Sequence, residues 1–317
     1  MISGSNKEYF NMEDNIIRFA NKSDYNSIVT LWAKSFFDED FARWYFEKLY
    51  REENTLVYIQ GDKIVSMLAR IPFRIKGLGE VTYIYGACTD PDYRKRGIMK
   101  RLLMYSEELD IKLNKAAIIL IPENESLFEF YKKCGFKDYF YKYLRSDYEE
   151  DYNLEVNKNL LISNNNDKTL INKRFLNVKF ENVTEMKPNF YKIIYNITEL
   201  YKTININNME VIRDTSYYER LIDMYNKNGG KMYVAYDDIE GIYGYTFGYE
   251  EDGYKVTELV YKNLEVRQFI INKLKELYND YIILNELQGN SKIKYGFIKL
   301  LQKNKNVNKI IINLMYD

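Results

Sequence analysis

Residues 81–121 constrain the fold more than any other part of the chain. "VTYIYGACT" (Val81 to Thr89) reads as a strand, a helical pattern runs from about Ile98 to Asn114, and "AAIILI" (Ala116 to Ile121) is apolar throughout. A strand, a helix and a buried strand in direct succession imply an α/β layer with a partly parallel sheet, since parallel neighbours need a crossover between them. Ile98, Leu102, Tyr105, Leu109 and Leu113 recur at helical spacing and mark the expected inner face of the helix. The turn that joins strand to helix, "YRKRGIMKRLL" (Tyr93 to Leu103), gathers Arg94, Lys95, Arg96, Lys100 and Arg101 around Gly97. Cations at a helix start oppose the helix dipole unless something anionic sits among them. The first helical amides have no partner inside the helix, and a glycine lets the backbone approach a ligand closely. A solvated basic turn is the plain reading; a phosphate site is the sharper one.

The elements on either side extend the α/β pattern. "NIIRFA" (Asn15 to Ala20) is a short strand, and a helix from about Ser23 to Phe36 carries Ile28, Leu31, Trp32 and Phe36 on one face. A second helix, Phe41 to Tyr50, carries Phe41, Trp44, Tyr45 and Leu49. Strand-like runs cover Thr55 to Gln60 and Ile64 to Ile75, with a tight turn at Gly61-Asp62. After "AAIILI" come a short helix in "NESLFEFYKK" and a strand at Tyr139 to Leu144. From Ser146 to about Lys173 the chain turns acidic and Asn-rich, with one strand-like run at Leu160 to Ile162. The expected division is therefore 1–150, a linker at 151–173, and 174–317.

The second half repeats the order of elements without repeating the sequence. Helical runs at about Pro188 to Lys202 and Ser216 to Asn226 precede three strand-like runs, Met232 to Tyr236, Tyr243 to Tyr249 and Tyr254 to Val260. A helix at Leu264 to Tyr278, the strand "YIILNEL", a short helical run near Tyr295 to Gln302 and the strand "KIIINLMY" follow.

Composition removes several classes of function. Lys and Arg total 46 and so do Asp and Glu, which disfavours a sequence-independent grip on nucleic acid or an anionic membrane. There is no His, so a Ser-His-Asp triad or a zinc site is not expected. The two cysteines, Cys88 and Cys134, have no paired spacing and suit a reducing cytoplasm. The N-terminus lacks the apolar core of a signal peptide, and no apolar run is long enough to span a bilayer. The abundance of Lys, Asn, Ile and Tyr fits AT-rich codons and hence a low-GC bacterium.

The basic turn resembles the signature of the GNAT acetyltransferase family, Gln/Arg-x-x-Gly-x-Gly/Ala, read here as Arg94-Lys95-Arg96-Gly97-Ile98-Met99. Met99 departs from the small residue of the pattern; relatives of the enhanced-intracellular-survival type tolerate Leu there. A second segment carries the likeness further. Asn124, Tyr131 seven positions on, and Gly135-Phe136 follow the family's Asn-x6-Tyr-x3-Gly-Phe spacing.

The resemblance implies an α/β (α+β) GNAT fold, with a central mixed, splayed sheet flanked by helices. It implies acetyl-CoA as cosubstrate, with no metal. The pyrophosphate would lie at the turn from Arg94 through Lys100. Pantetheine would bond to backbone at Ala87, Cys88 and Thr89, with Asn124 on the far side of the cleft and Tyr131 as general acid. By the same likeness Asp38, Glu39 and Asp40 would attract a cationic acceptor, and Tyr83 or Glu80 would stand where some relatives carry a base; as plain residues the three acids are a helix cap.

Cys88 reads as a small buried residue rather than a nucleophile, Cys134 as structural, and Tyr131 on its own as a core aromatic. The second half, "YKNLEVRQF" at the corresponding turn, has neither the glycine nor the basic cluster, and resembles the degenerate half of tandem family members. The function implied is acetyl transfer to a primary amine, small molecule or protein, by direct attack. The alternative is a catalytically silent CoA-binding sensor or interaction module. Assembly into a homo-oligomer is left open.

Overall fold

The computed structural model describes residues 10–12, 15–36, 39–146, 175–183, 190–203, 211–250, 253–278, 282–286 and 291–302. The expected linker at 151–173, with its strand-like run at Leu160 to Ile162, lies outside the described residues, as does "KIIINLMY". The chain divides into two compact units, one made of Met1–Phe140 with Lys294–Ile310, the other of Tyr141–Ile293 with Ile311–Asp317. Of the described residues, 294–302 group with the first unit. No described helix is long and apolar enough to cross a membrane.

The first unit contains β1 (Phe10–Met12), β2 (Asn15–Phe19), α1 (Tyr25–Ala33), α2 (Glu39–Lys48), β3 (Thr55–Gln60), β4 (Lys63–Ile75) and β5 (Gly79–Thr89). It continues with α3 (Ile98–Lys112), β6 (Ala117–Leu120), α4 (Glu125–Lys133) and the start of β7 (Asp138–Ser146). Its strand order is β1-β2-β3-β4-β5-β6-β13, with the start of β7 beyond. Strands β1 to β5 pair antiparallel, and β5 pairs parallel with β6 across the α3 crossover, as the sequence implied.

Strand β13 (Ser291–Leu300) comes from the far end of the chain. It runs antiparallel to β6 with Phe297 opposite Leu120 and Leu300 opposite Ala117. The stretch Tyr295 to Gln302, expected as a helical run, is mostly strand. The backbone groups on the free side of β6 supply its partners, and local propensity yields to that pairing.

One face of the sheet buries Leu56, Leu68, Ile84, Ile118, Leu120 and Phe297 against Leu102 of α3 and Tyr131 of α4. The other face packs an aromatic cluster in which Trp32 of α1 stacks on Tyr45 of α2 with ring centroids 4.4 Å apart.

Helix α3 presents a different face from the expected one. Its buried residues are Ile98, Leu102, Leu103, Ser106 and Asp110, while Tyr105 and Leu109 are half-buried and Leu113, just past the helix, is 63% exposed. A buried ion pair turns the helix this way. Arg70 on β4 donates to Asp110 Oδ1 at 2.5 Å and to Ser106 Oγ at 3.0 Å, and Thr82 donates to the same carboxylate oxygen at 2.8 Å. Such groups enter a core only when they satisfy one another.

The second unit repeats the order of elements. It holds β8 (Lys179–Asn182), α5 (Phe190–Thr203), α6 (Thr215–Lys227), β9 (Gly230–Asp237), β10 (Gly241–Glu250), β11 (Tyr254–Tyr261), α7 (Leu264–Tyr278) and β12 (Ile282–Glu286). Strands β8 to β11 are antiparallel neighbours and β11 pairs parallel with β12. Its interior holds Arg213 and Glu258, both fully buried and 2.6 Å apart, with Tyr245 donating to the same carboxylate oxygen at 3.0 Å.

Candidate active site

Where β5 leaves β6, a cleft opens. Their pairing ends at Ile84 opposite Leu120, yet β5 continues to Thr89. A bulge marks the divergence: Ala69 lies opposite Tyr85 and Met67 opposite Cys88, so Gly86 and Ala87 together face Leu68 alone. Gly86 has φ +54°, and a Cβ there would lie 2.3 Å from the Trp32 ring, so both backbone conformation and space demand glycine. Beyond the bulge, Ala87, Cys88 and Thr89 line a cleft of about 470 Å³.

From the start of α3 the cleft receives Tyr93, Arg94, Lys95, Gly97, Ile98, Met99 and Lys100. Gly97 is the N-cap residue in the left-handed region with φ 73°, and no side chain caps the helix. Nothing lies within 4 Å of where a Gly97 Cβ would point. Lys95 is also left-handed, with φ 63°. The turn is braced from behind. Asp90, 2% exposed, accepts from the Asp92 amide at 3.2 Å and pairs with Lys63 at 3.1 Å and Lys34 at 3.2 Å. Burial raises its carboxyl pKa, but the two ammonium groups and the amide hold it below the usual carboxylate value.

The cations divide into two groups. Arg94 Nε donates to the Thr89 carbonyl at 3.1 Å while still lining the cleft, and Lys95 and Lys100 have no ion-pair partner among the described residues. Arg96 does not line the cleft; its guanidinium sits 5.0 Å from the Tyr93 ring and donates to the Asp92 carbonyl. Arg101 donates to the Arg96 carbonyl at 2.9 Å. These two arginines shape the turn.

Helix α4 brings Asn124, Ser126, Leu127, Phe130 and Tyr131 to the same cleft. Asn124 is the N-cap residue, accepting from the Leu127 amide at 3.2 Å and the Ser126 hydroxyl at 2.7 Å. Tyr131 is 7% exposed, with edge contacts to Phe130 at 5.2 Å and Phe136 at 5.9 Å. Burial pushes its phenol well above the ordinary value, so the hydroxyl stays protonated at neutral pH. Burial likewise pushes the Cys88 thiol up to about 12, against a smaller opposing effect of the Ser35 hydroxyl, and a protonated thiol is a poor nucleophile. Cys134 is half-buried and its thiol is also raised by burial.

The residues expected on the acceptor side do not line this cleft or lie outside the described residues. Glu80 is exposed on β5, 3.5 Å from Arg74 of the neighbouring strand. Tyr83 is 1% exposed, packed between Phe73 and Tyr85. The bulge lies beyond both, so it does not bring Glu80 to the Tyr83 face. Asp38 lies outside the described residues, as do the side chains of Glu39 and Asp40 in α2. Ser35 and Phe36, just past α1, line the cleft with Glu123, and sequence reasoning missed all three. Nothing local marks Ser35 and Phe36, which reach the cleft only through the packing of α1. Glu123, next to Asn124, could have been found from its neighbour.

The acetyltransferase (GNAT) domain family matches residues 16–138, a span that carries the bulge, the basic turn and α4. The chain carries a GNAT acetyltransferase domain.

Solved structures share the fold at low identity. A conserved protein of unknown function from Enterococcus faecalis V583, described as a probable N-acyltransferase, is 13% identical with a TM-score of 0.66, covering 91% of this chain and 72% of its own. A GCN5-related N-acetyltransferase from Kribbella flavida is 15% identical with a TM-score of 0.61, covering 90% and 70%. Eis1 from Mycobacterium abscessus is 11% identical with a TM-score of 0.60, covering 90% and 73%. No curated protein matches the chain.

Among the described residues, the corresponding turn of the second unit differs from that of the first. Helix α7 is capped by Asn263, whose Oδ1 accepts from the Val266 amide at 3.0 Å. The β11–β12 pairing shifts register between Val256, opposite Leu284, and Leu259, opposite Glu286, the last described residue of β12. The helix start is occupied by a side-chain cap.

Proposed function

We propose that this chain is an acetyl-CoA-dependent N-acetyltransferase with one donor site, in the first unit, acting on a primary amine. The observation that carries the reading is the uncapped start of α3. Free helical amides, a left-handed Gly97 with open space above it, and the side chains of Arg94, Lys95 and Lys100 all meet one cleft. Those groups suit a pyrophosphate. Past the bulge, the backbone of Ala87, Cys88 and Thr89 is no longer engaged by β6, which suits an amide-bearing pantetheine arm.

Acetyl-CoA supplies the acetyl group as a thioester activated for transfer. The protein's own residues then do three things. The α3 turn anchors the anionic end of the donor. The Tyr131 hydroxyl, held protonated by burial, keeps a proton available for the departing sulfur. Cys88, held protonated, leaves the amine to attack directly. The acidic stretch Asp38-Glu39-Asp40 would draw a cationic acceptor, and the second unit would serve without a donor site of its own.

Calorimetry with acetyl-CoA tests the donor site. Wild type should bind one equivalent, and Gly97→Asp, which puts an anion where the pyrophosphate belongs, should weaken binding at least a hundredfold. Unchanged affinity in the variant, or two independent sites in the wild type, would refute the assignment. Binding without thiol release across a broad panel of amines would instead identify a silent CoA binder.

A further inference from the structure

We propose that Phe297, on the strand contributed by the far end of the chain, is a positioning residue for the donor site. It holds α4, and with it Tyr131, against the cleft. The residue lies 166 positions beyond Tyr131 and far outside the span matched by the GNAT domain.

The contacts of Phe297 lie on α4 and on the segment that follows it. Its side chain is fully buried, stacked on Tyr139 at 4.7 Å and 5.2 Å from the ring of Phe128, which sits on α4 itself. It also meets Phe136 at 6.1 Å. Phe136 in turn holds the Tyr131 ring edge-on at 5.9 Å, and its amide donates to the Tyr131 carbonyl at 3.1 Å. Phe297 therefore touches α4 directly through Phe128 and reaches the Tyr131 ring through Phe136.

The strand itself is fixed in place. A Cβ on Gly296 would come within 2.3 Å of the Phe140 ring and 2.5 Å of the Leu120 carbonyl, so the backbones are in close contact. Lys299 reaches Glu107 of α3 at 2.5 Å and lies 5.6 Å from the Phe136 ring. Past the strand, the Leu301 amide donates to the Ala116 carbonyl at 2.9 Å and Gln302 donates to the Asn114 carbonyl at 3.0 Å. The turn at Gly97, by contrast, is braced by Asp90, which accepts from the Asp92 amide, and by Arg101, which donates to the Arg96 carbonyl. Phe297 should therefore govern where the proton donor sits and leave the phosphate anchor alone.

The inference rests on the donor-site reading, and the test separates the two. Full-length Phe297→Ala and Phe297→Leu are compared with wild type and with Ile75→Ala, a core truncation on β4 away from α4. Turnover, acetyl-CoA affinity and amide hydrogen exchange are measured well below the unfolding midpoint. Small displacements of a catalytic group cost up to roughly a hundredfold in rate. Phe297→Ala should lower kcat about 10- to 100-fold with the acetyl-CoA Kd within about twofold, and should speed exchange of the α4 amides more than that of the amides at the Gly97 turn.

Phe297→Leu should recover most of the turnover, and Ile75→Ala should lose stability without losing kcat. Wild-type kcat and α4 exchange in Phe297→Ala, or equal losses of kcat and affinity, would overturn the proposal. Should Phe297→Ala fail to fold, the same comparison on Phe297→Leu decides, with a smaller but parallel kcat and exchange effect expected. If Tyr131→Phe alone keeps full turnover, the acid role of Tyr131 fails, while α4 exchange still decides whether Phe297 braces the helix.

Discussion

Gly86→Ala puts the bulge of β5 under a strain that can be worked out from its surroundings. The added methyl would stand 2.3 Å, 2.8 Å and 3.3 Å from three carbons of the Trp32 ring, far inside van der Waals contact. Trp32 cannot retreat easily, because it is 3% exposed, stacks on Tyr45 and meets Phe46 edge-on at 5.4 Å. Overpacking of this kind costs about 1–3 kcal/mol. The backbone at φ +54° adds about 1–2 kcal/mol for a residue with a Cβ.

The sum is about 2–5 kcal/mol, and for a unit of this size each kcal/mol lowers the midpoint by about 2–4 °C. Trp32 and Trp44 are the chain's two tryptophans, so tryptophan fluorescence during thermal unfolding reports the first unit alone. A midpoint drop of about 5–15 °C is expected. Because the bulge aims Ala87, Cys88 and Thr89 into the cleft, acetyl-CoA affinity should fall as well. Adding Trp32→Leu removes the clash but not the backbone strain, so the double variant should lose less than the sum of the two single changes. A Gly86→Ala protein with the wild-type midpoint, or strict additivity in the double variant, would show that the bulge is not held by this contact.

Two further outcomes follow from buried polar groups. Tyr131→Phe removes a hydroxyl with no hydrogen-bond partner among the described residues, so stability should stay within about 0.5 kcal/mol while kcat falls roughly 10²–10⁴-fold with both KM values kept. Because burial raises the folded-state phenol, its neutral form contributes stability fully below the unfolded value near ~10 and loses it as pH rises further. The wild-type rate should therefore show no basic limb from Tyr131 below about pH 10, and a rate profile in which the variant matches wild type at every pH would exclude the acid role.

In the second unit, Arg213→Met leaves the fully buried Glu258 without its cation and should cost about 3–5 kcal/mol in denaturant unfolding, with much of that recovered in Arg213→Met/Glu258→Leu. A wild-type midpoint for the single variant would show that the pair is not coupled.

Local patterns in the sequence carried the core of this site. The strand, basic turn, helix and strand of residues 81–121 are set by short-range periodicity and by Gly97. The spacing from Asn124 to Phe136 likewise places a helix cap and a tyrosine on one face, two turns apart. Both are properties of neighbours in the chain, and both hold in three dimensions, where the turn and α4 meet in one cleft.

Other features depended on partners that local pattern does not name. The inner face of α3 follows Asp110 because Arg70, 40 positions away, makes the buried carboxylate tolerable. Arg96 belongs to the basic cluster in sequence, yet its guanidinium turns onto Tyr93 and the Asp92 carbonyl because the turn needs bracing there. Tyr295 to Gln302 carries too few residues to declare a period. It is strand because β6 offers unpaired backbone along one side and Phe297 finds a pocket of rings beside α4. A strand's hydrogen bonds are directional but indifferent to sequence distance, so which edge a terminal segment joins is decided by the folded sheet.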